Sequence, residues 1–429
     1  MNVYHLMCLW AAPAVGAQQP APQAAIPIRA LALPSAISKE TLGSINGIKQ
    51  LPDGRVLVND YARKRLIVFD KALTSFTISA DSTGNASKIY SSRTVRVLFP
   101  YLADTTLLAD YGAGAFLVID PNGVITRAMA PVRTDDLMGL VQIGAGAPGI
   151  DPSGRLLLRA AAVFGGQRPP PRPAGAPPLP PATLDTFYIA RADLDKRVTD
   201  TIGFVTWGRM ASPAPPVTAA NILDPRPTYV NPVPIAQDDW AVLSDGSVAI
   251  VRSHDYHIDW IYPDGTHAST PKMAFDWRRL TDEEKQAKLD SAKRIVDSVE
   301  ASGRHYSVNI RPKIGPSGQM VIDSTYPKIE YVPLSYIADY VPPIRAGAVK
   351  PDLDGNLWIL PTTSLQARGG LLYDVVNKKG EVFQRVQLPA ECDVAGFGRG
   401  GIVYLSKLNG SNGFIIERTA IVGAAAVKQ

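Results

Sequence analysis

The stretch Leu51-Pro52-Asp53-Gly54-Arg55-Val56-Leu57-Val58 places a tight turn directly before a strand, and the chain returns to this phrase. It recurs with drift at Asp151-Pro152-Ser153-Gly154-Arg155-Leu156-Leu157-Leu158, at Leu243-Ser244-Asp245-Gly246-Ser247-Val248-Ala249-Ile250 and at Asp352-Leu353-Asp354-Gly355-Asn356-Leu357-Trp358-Ile359. Asp-Gly accepts the positive φ angles of a primed hairpin turn, and β-branched residues after it favour a pleated surface. Unevenly spaced hairpins of this kind predict a radially repeated β fold. The expected fold class is all-β: a single β-propeller with one helical insert and a Pro-rich loop.

Blades are anchored on the turn between their first and second strands. Those turns fall at Asp53-Gly54, Ala103-Asp104-Thr105, Ser153-Gly154, Asp245-Gly246, Asp354-Gly355 and Gly398-Arg399-Gly400, which predicts six blades. Gly315-Pro316-Ser317-Gly318-Gln319-Met320-Val321-Ile322 has the same turn-then-strand order and keeps seven as the alternative. The propeller is expected over residues 26–422, with inserts near 165–183 and 271–340 and a tail at 423–429. An open ring would expose a sheet edge. The apolar residues 26–33 are therefore expected to supply the outer strand of the last blade.

Residues 6–17 form an apolar run ending in small residues, as in an export signal, and too short to span a bilayer. No Lys or Arg precedes the run, a departure that a misassigned start would explain. The reading is a signal peptide at 1–17, a flexible segment at 18–25, and a periplasmic or extracellular protein. No later stretch has the length of uninterrupted apolar sequence that a transmembrane helix needs. Removal of Cys8 with the signal would leave Cys392 alone, without an internal disulfide. The net charge of +5 is spread along 429 residues without basic blocks, so no nucleic-acid partner is expected. A monomer is expected.

Two inserts stand out. Arg168-Pro169-Pro170-Pro171-Arg172-Pro173, continuing to Pro181, favours polyproline II and cannot enter a sheet interior. Thr281-Asp282-Glu283-Glu284 is a capping box, followed by Leu289, Ala292, Val296 and Val299 on one face of a helix over 281–301.

The repeat also aligns polar residues. Asn59-Asp60-Tyr61 and Ala109-Asp110-Tyr111 hold the same place after the second strand, taken in the fourth blade by Arg252-Ser253-His254-Asp255-Tyr256. Loops at this place converge on a propeller's channel mouth. Asp60, Tyr61, Asp110, Tyr111, Arg252, His254 and Asp255 are accordingly the candidate ligand-binding residues. Each has an ordinary alternative role, since an Asp that starts a turn commonly accepts local amides. His257 and Asp259 fall inside the third strand, as expected for structural groups. No nucleophile elbow, phosphate loop or HExxH motif occurs, so no catalytic residue is assigned.

The blade pattern resembles the six-bladed NHL-repeat and gluconolactonase-like propeller superfamily. Asp238-Asp239-Trp240-Ala241-Val242-Leu243-Ser244-Asp245-Gly246 and Tyr340-Val341-Pro342-Pro343-Ile344-Arg345 look more narrowly like exported bacterial six-bladed propellers without an assigned activity. Gluconolactonase-like enzymes hold a divalent cation with an acid–amide set at the channel mouth. That set does not map residue by residue onto this sequence, so the metal and the lactonase activity are not carried over. No cofactor is identified, and a divalent cation such as calcium stays open.

Three functions compete. The first is an exported propeller that binds a small molecule, sugar or peptide through loops at the channel mouth. The second is a metal-assisted hydrolase or lactonase on the same scaffold. The third is a structural module that meets an envelope protein through its Pro-rich strip and rim. Fold alone does not choose among them.

Overall fold

The computed structural model describes residues 26–81, 94–110, 113–133, 136–141, 146–160, 186–208, 227–303, 305–307, 309–314, 320–410 and 413–423. Six four-stranded antiparallel blades follow one another along the chain. Blade 1 is Ile45–Gln50, Val56–Asp60, Arg65–Phe69 and Phe76–Asp81. Blade 2 is Thr94–Pro100, Thr106–Asp110, Ala115–Ile119 and Ile125–Met129. Blade 3 is Gly149–Ile150, Leu156–Arg159, Thr186–Asp193 and Val198–Thr206. Blade 4 is Asp239–Val242, Val248–Arg252, His257–Ile261 and His267–Ser269. Blade 5 is Val349–Pro351, Leu357–Ile359, Leu372–Val376 and Val382–Gln387. Blade 6 is Cys392–Phe397, Ile402–Leu408 and Phe414–Ala420, completed by Ala36–Ile37 from the other end of the chain.

The second strands Val56–Asp60, Thr106–Asp110 and Leu156–Arg159 are buried along their whole length. Each lies mid-blade between two neighbouring blades, so both faces are covered and the usual alternation of apolar and polar residues is lost. Burying one Leu or Val contributes about 1.5–3 kcal/mol, so these strands anchor the ring. Trp358 joins blades 5 and 6: its ring meets Tyr373 at 5.6 Å and Phe397 at 4.9 Å, and its Nε1 donates to Asp352 at 3.1 Å.

The recurrent turn is not the primed two-residue turn that the Asp-Gly pair suggests. Gly54 N–H donates to the Leu51 carbonyl at 2.9 Å, and Leu51 N–H donates to the Arg55 carbonyl at 2.8 Å. Gly54 takes φ +87° whereas Asp53 does not have positive φ. This is the three-residue loop in which a type I turn precedes a left-handed glycine. Asp151 shows why an acidic residue often opens the phrase: its Oδ1 accepts Ser153 N–H and Arg155 N–H, both at 2.9 Å.

Two further expectations are corrected. The segment around Gly315 is not a seventh blade. Its flanks, Asn309–Ile314 and Met320–Thr325, pair only with each other, while residues 315–319 lie outside the described set. Ring closure also differs from the expectation for residues 26–33. Ile28–Ala30 instead runs parallel to Val382–Gln387 on blade 5, and Ala36–Ile37 closes blade 6 against Arg418 and Glu417. Between them the expectation holds in part: Ala30 and Ala32 pair with blade 6, Val422 N–H donating to the Ala30 carbonyl at 3.1 Å and Ala32 N–H to the Ala420 carbonyl at 2.9 Å, around the Leu31–Ile421 bridge. Pro34 has no N–H to give a ladder, so the apolar run cannot continue as one closing strand.

The connection from blade 4 to blade 5 carries the insert. Its helix, Asp282–Ala301, starts at Thr281, with both hydrogen bonds of the capping box formed. Leu289 and Val296 are buried, as the apolar face predicts; Lys285 is buried beside them and pairs with Asp339 at 2.6 Å. The insert also holds Ile329–Tyr331, parallel to Thr228–Val230 from the preceding connection. Among the described residues no helix is long and apolar enough to cross a membrane. The signal and Pro-rich calls fall on residues outside the described set. Cys392 is buried at the start of its strand, and burial pushes its thiol above the usual range.

Candidate functional site

In a four-stranded meander the loops from second to third strand share a face with the connections from one blade to the next. On that face Ser253 and His254, from the second-to-third loop of blade 4, meet both long connections. A cavity of about 880 Å³ lies between them. Val233, Pro234 and Ile235 come from the connection into blade 4; Trp277, Tyr336 and Tyr340 come from the insert. The lining is largely apolar and aromatic, with Asn231, Ser253, His254 and Asp339 as polar points.

A buried carboxylate sets the loop. Asp238 Oδ1 accepts the Ser253 N–H at 3.0 Å, while Oδ2 accepts Thr206 N–H at 2.9 Å, Thr206 Oγ1 at 2.8 Å and Arg252 Nη1 at 2.8 Å. Arg252 also gives Nε to Asp259 at 2.7 Å and lies 4.8 Å over the Phe204 ring. Tyr256 at φ +45° turns the chain back into the third strand. Ser253 Oγ is buried on the cavity wall without a hydrogen-bond partner among the described residues. His254 is exposed on the same wall. Asp339 completes it, its carboxyl held below the usual range by hydrogen bonds from Lys285 and Arg279.

The sequence candidates divide by environment. Asp60 is fully buried: Oδ1 accepts Gly43 N–H at 3.0 Å and Ser44 N–H at 3.1 Å, and Oδ2 pairs with Arg65 at 3.0 Å. Asp110 is buried and accepts Ala113 N–H at 3.0 Å. Tyr61 is half-buried at the start of its turn, and Tyr111 lies outside the described residues. Arg252 is held between Asp238 and Asp259. Asp255 faces His257, whose Nδ1 lies 2.7 Å from Asp255 Oδ1 and whose Nε2 lies 3.2 Å from Asp259 Oδ1. Of the six described candidates, His254 is the one that lines the large cavity. Repeat alignment does not find Trp277, Tyr336 and Tyr340, which sit in an insert without counterpart in other blades. Their one sequence signal is the aromatic density of that insert.

Two charges near the channel depart from ordinary behaviour. Asp239, on the first strand of blade 4, is fully buried and accepts Val349 N–H from blade 5 at 2.9 Å. Its other oxygen has no hydrogen-bond partner among the described residues, and burial pushes the carboxyl up to about 7. Burial pushes the neighbouring Lys350 down, against the pull of Asp393 and Asp239. Among the described residues no group of three His, Cys, Asp or Glu side chains is placed to share a metal ion.

No family model and no curated protein sequence matches the chain. Solved structures do. A virginiamycin B lyase from Staphylococcus aureus aligns at 10% identity over 90% of this chain and 98% of its own, with a TM-score of 0.38. A gluconolactonase from Xanthomonas campestris aligns at 10% identity over 89% and 87%, with a TM-score of 0.36. Regucalcin from Agrobacterium tumefaciens, described as a calcium-binding protein, aligns at 11% identity over 92% and 96%, with a TM-score of 0.38. These likenesses carry no functional argument. The propeller assignment rests on the strand pairing of this chain.

Proposed function

We propose that this protein is an exported ligand-binding propeller. Its binding site is the cavity between the blade 4 loop and the two long connections, on the channel-mouth face. The observation that carries the reading is the buried Ser253 hydroxyl, left without a partner among the described residues on a largely apolar wall. A buried polar group without a hydrogen bond is costly, and a ligand acceptor or donor relieves that cost. About 880 Å³ falls within the range for small-molecule sites. Trp277, Tyr336 and Tyr340 would cover an apolar body, such as a ring system or a peptide's aromatic end, while Ser253 and His254 orient its polar group. Export is supported by the apolar run at residues 6–17.

The test is a fluorescence screen of aromatic metabolites and short peptides, read at Trp277 with Trp277→Phe as the control for the signal's origin. Ser253→Ala and His254→Ala should each weaken a hit by about five- to tenfold, the scale of one hydrogen bond. The melting temperature of His254→Ala should match the parent, and that of Ser253→Ala should match or exceed it, since an unsatisfied buried hydroxyl is removed. Unchanged affinity in both variants would put the site elsewhere. Stoichiometric divalent cation in the purified protein would favour the hydrolase reading instead.

A further inference from the structure

A second, smaller cavity of about 250 Å³ lies between blades 4 and 5, on the other side of the Phe275–Trp277 contact. Trp277 lines the large cavity, whereas Phe275 lines the small one. The loop that gives Ser253 and His254 to the first gives Tyr256 to the second.

Two independent observations mark this small cavity. The first is Tyr256, which is 2% exposed, with a hydroxyl that has no hydrogen-bond partner among the described residues. The second is Arg385. Among the described residues of the blades, four Arg–Asp pairs bridge neighbouring strands. Arg65 uses Nε on Asp60 and Nη2 on Glu40; Arg191 grips Asp200 through Nε and Nη2. Arg252 divides its guanidinium among Asp259, Asp238 and the Phe204 carbonyl. Arg385 alone of the four makes a single side-chain hydrogen bond, Nε to Asp374 Oδ1 at 2.8 Å, and both Nη groups lack a partner among the described residues. Asp374 Oδ2 has no donor among the described residues, and burial raises that carboxyl above its usual range. The Arg385 side chain is 41% exposed, so water reaches its Nη groups, and a ligand hydroxyl in the cavity would take the place of that water beside Asp374.

We propose that the cavity lined by Tyr256, Phe275, Ser364, Asp374 and Arg385 is a second binding site, for a small neutral molecule with adjacent hydroxyls. One hydroxyl donates to Asp374 while accepting from an Arg385 Nη, and the next meets the Tyr256 phenol. Phe275 covers the C–H face of the ring or chain. An anion is disfavoured, because Asp276 and Asp374 outnumber Arg385 along the lining. Asp374 and Arg385 together present no net charge, which suits a polyol.

The test uses myo-inositol, glucose, methyl glucoside and glycerol as probes, titrated by calorimetry and by the NMR signal of the Arg385 side chain. At least one probe should bind with Kd about 1 mM or tighter and move that signal, which occupancy of the large cavity would not do. Glucose and methyl glucoside separate a free sugar from a chain end. Tyr256→Phe should weaken the hit by about tenfold. Its melting temperature should be equal to the parent's or higher, since the lost hydroxyl bonds nothing among the described residues of the free protein. Failure of every probe overturns the proposal, as does acetate binding without polyol binding. A hit indifferent to Tyr256→Phe overturns it too.

Discussion

Asp238 Oδ1 accepts the Ser253 N–H at 3.0 Å, so the residue just ahead of a channel strand carries the loop that presents His254. The same carboxylate receives Arg252 Nη1 at 2.8 Å, with side-chain exposures of 5% and 14% for the acid and the arginine. Asp238→Ala should therefore cost about 3–5 kcal/mol, because it leaves Arg252 and buried amides without their acceptor. Urea unfolding of the variant measures this, and ligand affinity at the large cavity should fall with it. A loss below about 1 kcal/mol would mean that the loop stands without this acceptor.

Asp239 sets a pH dependence. An ordinary Asp titrates near 3.9, whereas burial holds this one at about 7. Below the ordinary value both folded and unfolded chains hold the proton, and burial carries no charge penalty. Between the two values the unfolded chain loses its proton while the folded chain keeps it. Stability contributed by Asp239 then falls as pH rises, by about 1.4 kcal/mol per pH unit, and is lost above about 7. Asp239→Asn should flatten that part of the stability profile in urea titrations across this range. An unchanged slope would assign the pH dependence to other groups.

Removing the chain start tests ring closure. A protein beginning at Leu33 lacks Ile28–Ala30 and the Ala30–Ala32 contacts with blade 6 but retains Ala36–Ile37, and should melt below the parent by less than a full loss of closure would cause. One beginning at Lys39 exposes the edge of Phe414–Ala420, and should melt lower and scatter light on concentration. Equal melting of the two would show that the closing strand contributes little.

The insert helix depends on its cap. Thr281→Ala removes the acceptor of the Glu284 N–H and should cost that helix about 1 kcal/mol. Hydrogen exchange should quicken in the first turn while the blade strands keep their protection. Uniform loss of protection would instead mean that helix and propeller unfold as one unit.

These expectations depend on contacts of different range, and range decides what a sequence reveals. The turn at Leu51–Arg55 closes on itself, so its position is legible from a few residues, though the Asp-Gly pair names the wrong turn type. The capping box at Thr281 is equally local and appears as read. Asp60 and Asp110 share a repeat position, which is visible in the sequence. Asp60's attachment to Gly43 and Ser44 is not, because those amides belong to the chain entering the blade, 16 and 17 residues earlier. The closing strand lies beyond any periodic signal, since Ala36 meets Arg418. The large cavity is hardest to anticipate: Trp277 and Tyr340 belong to an insert with no repeat to align. His254 is accessible to reasoning because it lies in a blade.

The closing strand also sets an order of events at the ribosome. Ser35 N–H donates to the Arg418 carbonyl at 2.7 Å, a contact spanning 383 residues. At ordinary elongation rates, tens of seconds separate synthesis of these partners. Blades 1 to 5 have their own strands and are able to form during that interval, while the start of the chain waits unpaired. The last blade, and with it the finished ring, becomes available only once Phe414–Ala420 has been made.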